Sequence, residues 1–82
     1  MTHLDITQSI RARAWRDGLG LSRQRLSKLT GFSSPSIRGF ERGHVNGRPI
    51  GPTAWQRYRL CCAAVAHQID FNWNTETGEY HE

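Results

Sequence analysis

Cysteine is nearly absent from this chain, and the two that occur cannot close a loop: Cys61 and Cys62 are neighbours and there is no third. A disulfide framework is excluded, and both read as small core residues. His3, His44, His67 and His81 are scattered, without the Cys-x-x-Cys or His-x-x-x-His spacing of a zinc site, so neither metal nor cofactor is expected. Long hydrophobic runs are missing too. The longest, Leu60 to Ala66, falls far short of the ~20 residues of a membrane helix. The opening Met1-Thr2-His3-Leu4-Asp5 lacks the pattern of a secretory signal. No membrane partner is expected, and the expected compartment is the cytoplasm. Catalytic groupings are also absent: no carboxylate pair, no phosphate-binding glycine loop ahead of a helix, and no His or acid placed to activate Ser33, Ser34 or Ser36. The sequence does not read as an enzyme.

What is present is arginine. The 82 residues carry eleven cations against seven acids, and ten of the cations are Arg, with Lys28 alone. All eleven lie between Arg11 and Arg59, where only Asp17 and Glu41 oppose them, so this stretch is +9 while residues 60–82 are −4. A basic body rich in forked guanidinium donors suits a polyanion, nucleic acid first among them. The acidic end should face elsewhere. With 37% hydrophobic positions in 82 residues, there is material for a single small core.

Turn and cap residues divide the chain. A first helix is expected from Asp5 to Asp17, with Asp5 as N-cap and Gln8 in capping-box position, ended by Gly18 and Gly20. Its apolar face is ambiguous, since Ile6, Ile10 and Ala14 form one row and Ala12 and Trp15 another; Trp15 is the expected anchor. A second helix should start at Ser22 and end at Gly31, facing Leu26 and Leu29 inward. After Gly31-Phe32-Ser33, a third should be capped by Ser33 or Ser34, carry Pro35 in its first turn, bury Ile37 and Phe40, and stop at Gly43. Residues 43–52, with three Gly and two Pro, read as a loop. Trp55, Tyr58, Cys62, Val65 and Ile69 then repeat at helical steps, predicting a helix from Thr53 to Gln68. The tail beyond, with Phe71, Trp73 and Tyr80, reads as a strand, a small hairpin or disorder.

Two short helices joined by a three-residue turn containing Gly outline a helix-turn-helix. The residues go further. Gly20, Leu21, Ser22, Leu26, Gly31, Ser33, Ile37, Glu41 and Gly43 fall without a gap on the pattern of the Cro-like, phage-repressor family, which this stretch resembles. Residues 5–66 resemble it more loosely. The resemblance implies an all-α, lambda-repressor-like bundle of four to five helices: a DNA-binding domain over residues 1–69 and a short extended tail over 70–82.

The same resemblance implies roles. Leu26 and Ile37 lock the two helices together, and Arg16 should pair with Glu41. Ser34, Pro35, Ser36, Arg38 and Gly39 would contact bases. Where relatives carry long polar residues, most of these are small, leaving Arg38 as the one side chain able to make a bidentate guanine contact. Gly39 costs helix stability, and close approach to the DNA groove is the expected compensation, with part of the specificity left to DNA shape. Ser22, Arg23, Arg42, the Gly43 amide and Arg48 would contact phosphates. Arg25 stands where a capping-box Glu would be expected and adds positive potential.

One recognition helix spans few base pairs, so relatives pair and read two half-sites. The apolar residues left over for a homodimer are Val65, Ile69, Phe71 and Trp73, on the acidic end. The function implied is a dimeric, autoregulatory repressor of double-stranded DNA, of phage or mobile-element type. An antitoxin that also binds a small protein partner stays open, as does a protein- or RNA-binding module built on the same scaffold.

Overall fold

The computed structural model describes residues 6–69, 72–73 and 80–81. Its described residues are mostly helical: α1 Thr7–Gly18, α2 Arg23–Thr30, α3 Ser34–Arg42 and α4 Pro52–Ala66, with β1 His44–Val45 and β2 Arg48–Pro49 between α3 and α4, and β3 Asn72–Trp73 and β4 Tyr80–His81 in the tail.

Helix α1 starts at Thr7 behind Ile6, with no side-chain cap bond. The cap expected of Asp5 is therefore not where this helix begins, and Asp5 itself lies outside the described residues. The ambiguous apolar face is resolved: Ile6 and Ile10 are exposed, while Ser9 and Arg16 are buried and Ala12 and Trp15 pack on the core. A buried ion pair, rather than the longer apolar row, decides which side turns inward.

Helices α2 and α3 follow their local signals. Ser22 Oγ accepts from the Arg25 amide at 3.0 Å, and Ser33 Oγ accepts from the Ser36 amide at 3.2 Å, each satisfying a donor the first helical turn leaves free. Both helices end on glycines in the left-handed region, Gly31 (φ 82°) and Gly43 (φ 90°), where a Cβ would be strained. Leu29 departs from expectation, being 45% exposed. Phe32 in the turn takes the inward place instead, meeting Phe40 and Tyr58 edge-on with centroids at 5.6 and 5.4 Å.

The segment expected to be an irregular loop holds a hairpin. His44 pairs with Pro49 and Val45 with Arg48 in antiparallel register. Asn46 (φ 51°) and Gly47 (φ 76°) both take positive φ, the requirement of a two-residue type I′ turn, for which Asn-Gly is the favoured pair. Counting three glycines and two prolines hid this signal.

Helix α4 runs Pro52–Ala66 rather than to Gln68. Gln68 takes φ 55°, and the Ile69 amide reaches back to the Ala64 carbonyl at 2.9 Å, a Schellman-type closure. In the tail, Asn72 pairs with His81 and Trp73 with Tyr80. Of the expected dimer residues, Val65 packs against the core and Ile69 is 49% exposed. Phe71 and the side chain of Trp73 lie outside the described residues.

Leu26, Ile37, Phe40, Trp55 and Tyr58 form the core. Phe40 and Tyr58 stack at 4.2 Å, and Trp55 meets Phe40 edge-on at 5.0 Å, so α3 and α4 are joined through aromatic faces whose geometry adds to their area burial. Leu26 and Ile37 are fully buried between α2 and α3. Truncating either to Ala would cost about 2–5 kcal/mol.

Candidate functional site

The α2–α3 pair is held in place from behind by α1. Arg16 Nε donates to Glu41 Oε2 at 2.6 Å and Arg16 Nη2 to Oε1 at 2.8 Å. Arg16 Nη1 donates to the Leu21 carbonyl at 2.8 Å. Arg23 Nε adds a third, longer donation to Glu41 Oε1 at 3.3 Å. The two side chains are 8% and 2% exposed, so the expected Arg16–Glu41 pair is a buried, forked strut between α1 and the end of α3. Burial alone would push the Glu41 carboxyl up. The hydrogen bonds and charge of Arg16, with Arg23 beyond, outweigh it and hold the group below its ordinary value. The hydrogen bond to Glu41 likewise raises Arg16, against the opposing effect of its burial.

On the outer side of α3, a groove of about 730 Å³ opens between that helix and the hairpin. Ser34, Pro35, Arg38 and Gly39 form one wall, and His44, Val45, Asn46 and Gly47 the other, with Arg23 and Arg42 at its edges. Arg38 and Arg42 are exposed and make no hydrogen bond or ion pair among the described residues. Glu41, the acid close to this groove, is already saturated by Arg16 and Arg23. Uncompensated cations therefore face the groove, over a floor of short side chains. It is a place for an anion with an apolar or planar face.

Four of the five expected base-contact residues, Ser34, Pro35, Arg38 and Gly39, line this groove. Ser36 does not. It lies on the other flank of α3, beside Phe32 and Phe40, and its hydroxyl accepts from Ser33 Oγ at 2.8 Å. Gly39 needs a second correction, because a Cβ there would meet Val45 Cγ2 at 3.0 Å. The close approach that requires glycine is thus to the chain's own hairpin.

Among the expected phosphate contacts, Ser22 and Arg42 are exposed at helix ends, and Arg23 keeps its terminal nitrogens unpaired while Nε holds Glu41. Arg48 is exposed on β2, outside the groove lining. The Gly43 amide is unavailable. It donates to the Gly39 carbonyl at 2.9 Å, and the residue is buried against Ser9 and Ile6. The hairpin residues His44 to Gly47 were not anticipated; the Asn46-Gly47 dipeptide was the signal that could have placed them.

No group of three or more His, Cys, Asp or Glu that could hold a metal occurs among the described residues, and no described helix is long and apolar enough to cross a membrane. Burial pushes the Cys62 thiol up to about 11, so it stays protonated and unreactive at neutral pH. Comparison with protein-family models, curated proteins and solved structures finds no match for this chain. The resemblance to Cro-like repressors rests on its residue pattern.

Proposed function

We propose that this protein is a sequence-specific binder of double-stranded DNA, a lambda-repressor-like regulator that acts as a homodimer on an inverted-repeat operator and represses by occlusion. The observation that carries the reading is the convergence of Arg23, Arg38 and Arg42 on one groove beside the short, serine-capped start of α3. Helix α3 is the reading element. Its small side chains let the backbone approach base edges, and Arg38 is the long donor suited to guanine. Arg23 at the start of α2 and Arg42 at the end of α3 are suited to phosphates on either side. A small regulator of phage or mobile-element type, governed by its own abundance in the cytoplasm, fits this economy.

Selection of bound fragments from random duplexes, followed by titration at several salt concentrations, tests the proposal. One sequence should be enriched, and affinity should fall with salt at a slope of about −0.9 per phosphate contacted. Arg38→Ala should relax preference at one base position per half-site, whereas Arg42→Ala should weaken all sequences alike and reduce the slope by about one. Binding that is insensitive to salt, or equal for every duplex, would sink the reading.

A further inference from the structure

A second groove lies on a different face. Helix α1 packs chiefly on α3, and α4 chiefly on α2, so α1 and α4 leave a trough of about 370 Å³ between them. Its floor is apolar, with Ala12 and Trp15 from α1 meeting Trp55, Cys62 and Ala63 from α4. Arg11 and Arg59 stand on its two rims. Arg59 Nη1 donates to Gln8 Oε1 at 2.6 Å, which ties that rim to α1. Arg11 is exposed and makes no bond among the described residues. The trough shares no residue with the α3 groove.

We propose that this trough receives the C-terminal segment, residues 70–82, of a second copy of the chain, and that two such exchanges close the homodimer. The pairing rests on the dimer in the functional reading above, but it makes no use of DNA. Three observations fix the occupant. The rim is cationic, and the segment carries Asp70, Glu76, Glu79 and Glu82 with no Lys or Arg. The floor is indole, thiol and methyl surface, and the segment brings Phe71, Trp73 and Tyr80, residues that supply large contact area at low entropic cost. Finally, among the described residues β3 and β4 pair with each other, and neither makes an extended contact with α1 or α4 of its own chain. Each copy then offers one trough and one segment, and a two-fold exchange satisfies both and stops at two.

The acceptor explains a division in the sequence. The −4 end neutralises the face of α1 and α4 that is remote from the α3 groove, leaving the cations of α2 and α3 for an anionic ligand. It also assigns the exposed Ile69, which stands where the chain leaves α4 for the neighbouring copy.

Sedimentation equilibrium of the full chain and two charge-reversed forms tests the exchange. Arg11→Glu/Arg59→Glu and Glu76→Arg/Glu79→Arg should each raise the dimer dissociation constant about tenfold or more, because like charges then face each other across the contact. Arg11 and Arg59 are exposed, and a wild-type helical circular dichroism signal below the melting transition should show that both forms fold, while the melting point itself falls with the lost dimer. Mixing the two reversed forms should restore a dimer of wild-type affinity, since acid on the rim of one copy now meets base on the segment of the other. A wild-type chain that is monomeric overturns the proposal, as does a dimer indifferent to either reversal, or two monomeric forms that fail to pair when mixed. Duplex binding, measured on the same samples, is a separate readout: its absence with the exchange intact overturns the DNA reading alone.

Discussion

Val45 of the hairpin sits against Gly39 of α3, with its Cγ2 only 3.0 Å from where a glycine Cβ would be. The contact sets how near the hairpin comes to the helix, and so the width of the arginine-lined groove. Gly39→Ala would gain about 1 kcal/mol of helix propensity and lose about 1–3 kcal/mol to crowding, for a net destabilisation of about 1 kcal/mol. Because Val45 is 53% exposed, the pair Gly39→Ala/Val45→Ala should be more stable than Gly39→Ala alone. Urea unfolding checks both; a Gly39→Ala protein as stable as wild type would show that the hairpin yields freely.

Removing one end of the strut is expected to be far costlier. Arg16→Ala leaves the Glu41 carboxylate, 2% exposed, without its forked partner, and Glu41→Ala orphans a guanidinium that is 8% exposed. Each should cost about 3–5 kcal/mol. The double substitution should cost less than the two added together, because the penalty belongs to the charge left behind. Chemical denaturation of the three variants measures this, and additive costs would mean the pair is not coupled.

Acid should dissolve the same strut. Glu41 is held below its ordinary value of 4.5 in the folded chain, so the unfolded state takes up its proton first as pH falls. Its stabilising contribution is whole above about pH 4.5 and is lost as pH drops through the depressed folded value. Melting temperature should therefore decline on acidification below that point, and a Glu41→Gln protein, lower throughout, should show a shallower decline over the same range. Parallel curves for the two proteins would assign the acid limb to other carboxyls.

The turn between α2 and α3 should tolerate side chains badly for conformational rather than steric reasons. Gly31 has open space around its Cβ position but φ 82°. Gly31→Ala should cost about 1–2 kcal/mol, and Gly31→Asn less, because Asn tolerates the left-handed region. Equal melting temperatures for the two variants would contradict this account.

The parts of the fold that were legible in the sequence are those decided within four residues. Ser22, Gly31, Ser33, Pro35 and Gly43 mark the bounds of α2 and α3, because capping and positive φ are local matters. Leu26, Ile37 and Phe40 lie inward as their spacing requires. Elsewhere distant partners decide. The inward face of α1 depends on a carboxylate 25 residues away from Arg16, which no periodicity reports. Leu29 looks like a core residue by spacing, yet it is exposed while Phe32, from the turn, packs on the core. Gly39 reads as a concession to an external surface until the hairpin is seen beside it, and the Gly43 amide reads as free until the helix end claims it. In the candidate site, Ser34, Pro35 and Arg38 are legible only through the resemblance to Cro-like repressors, whose pattern falls on these positions. The opposite wall is hidden because the composition of residues 43–52 signals a loop, and only the order of Asn46 and Gly47, both at positive φ, signals a hairpin.

Arg23 stands with its Nε on Glu41 Oε1 at 3.3 Å and its outer nitrogens toward the α3 groove. The guanidinium is thus shared: one nitrogen belongs to a brace of the bundle and the others to the groove. Through the single Glu41 carboxylate, one wall of the groove is tied to the joint between the first helix and the third.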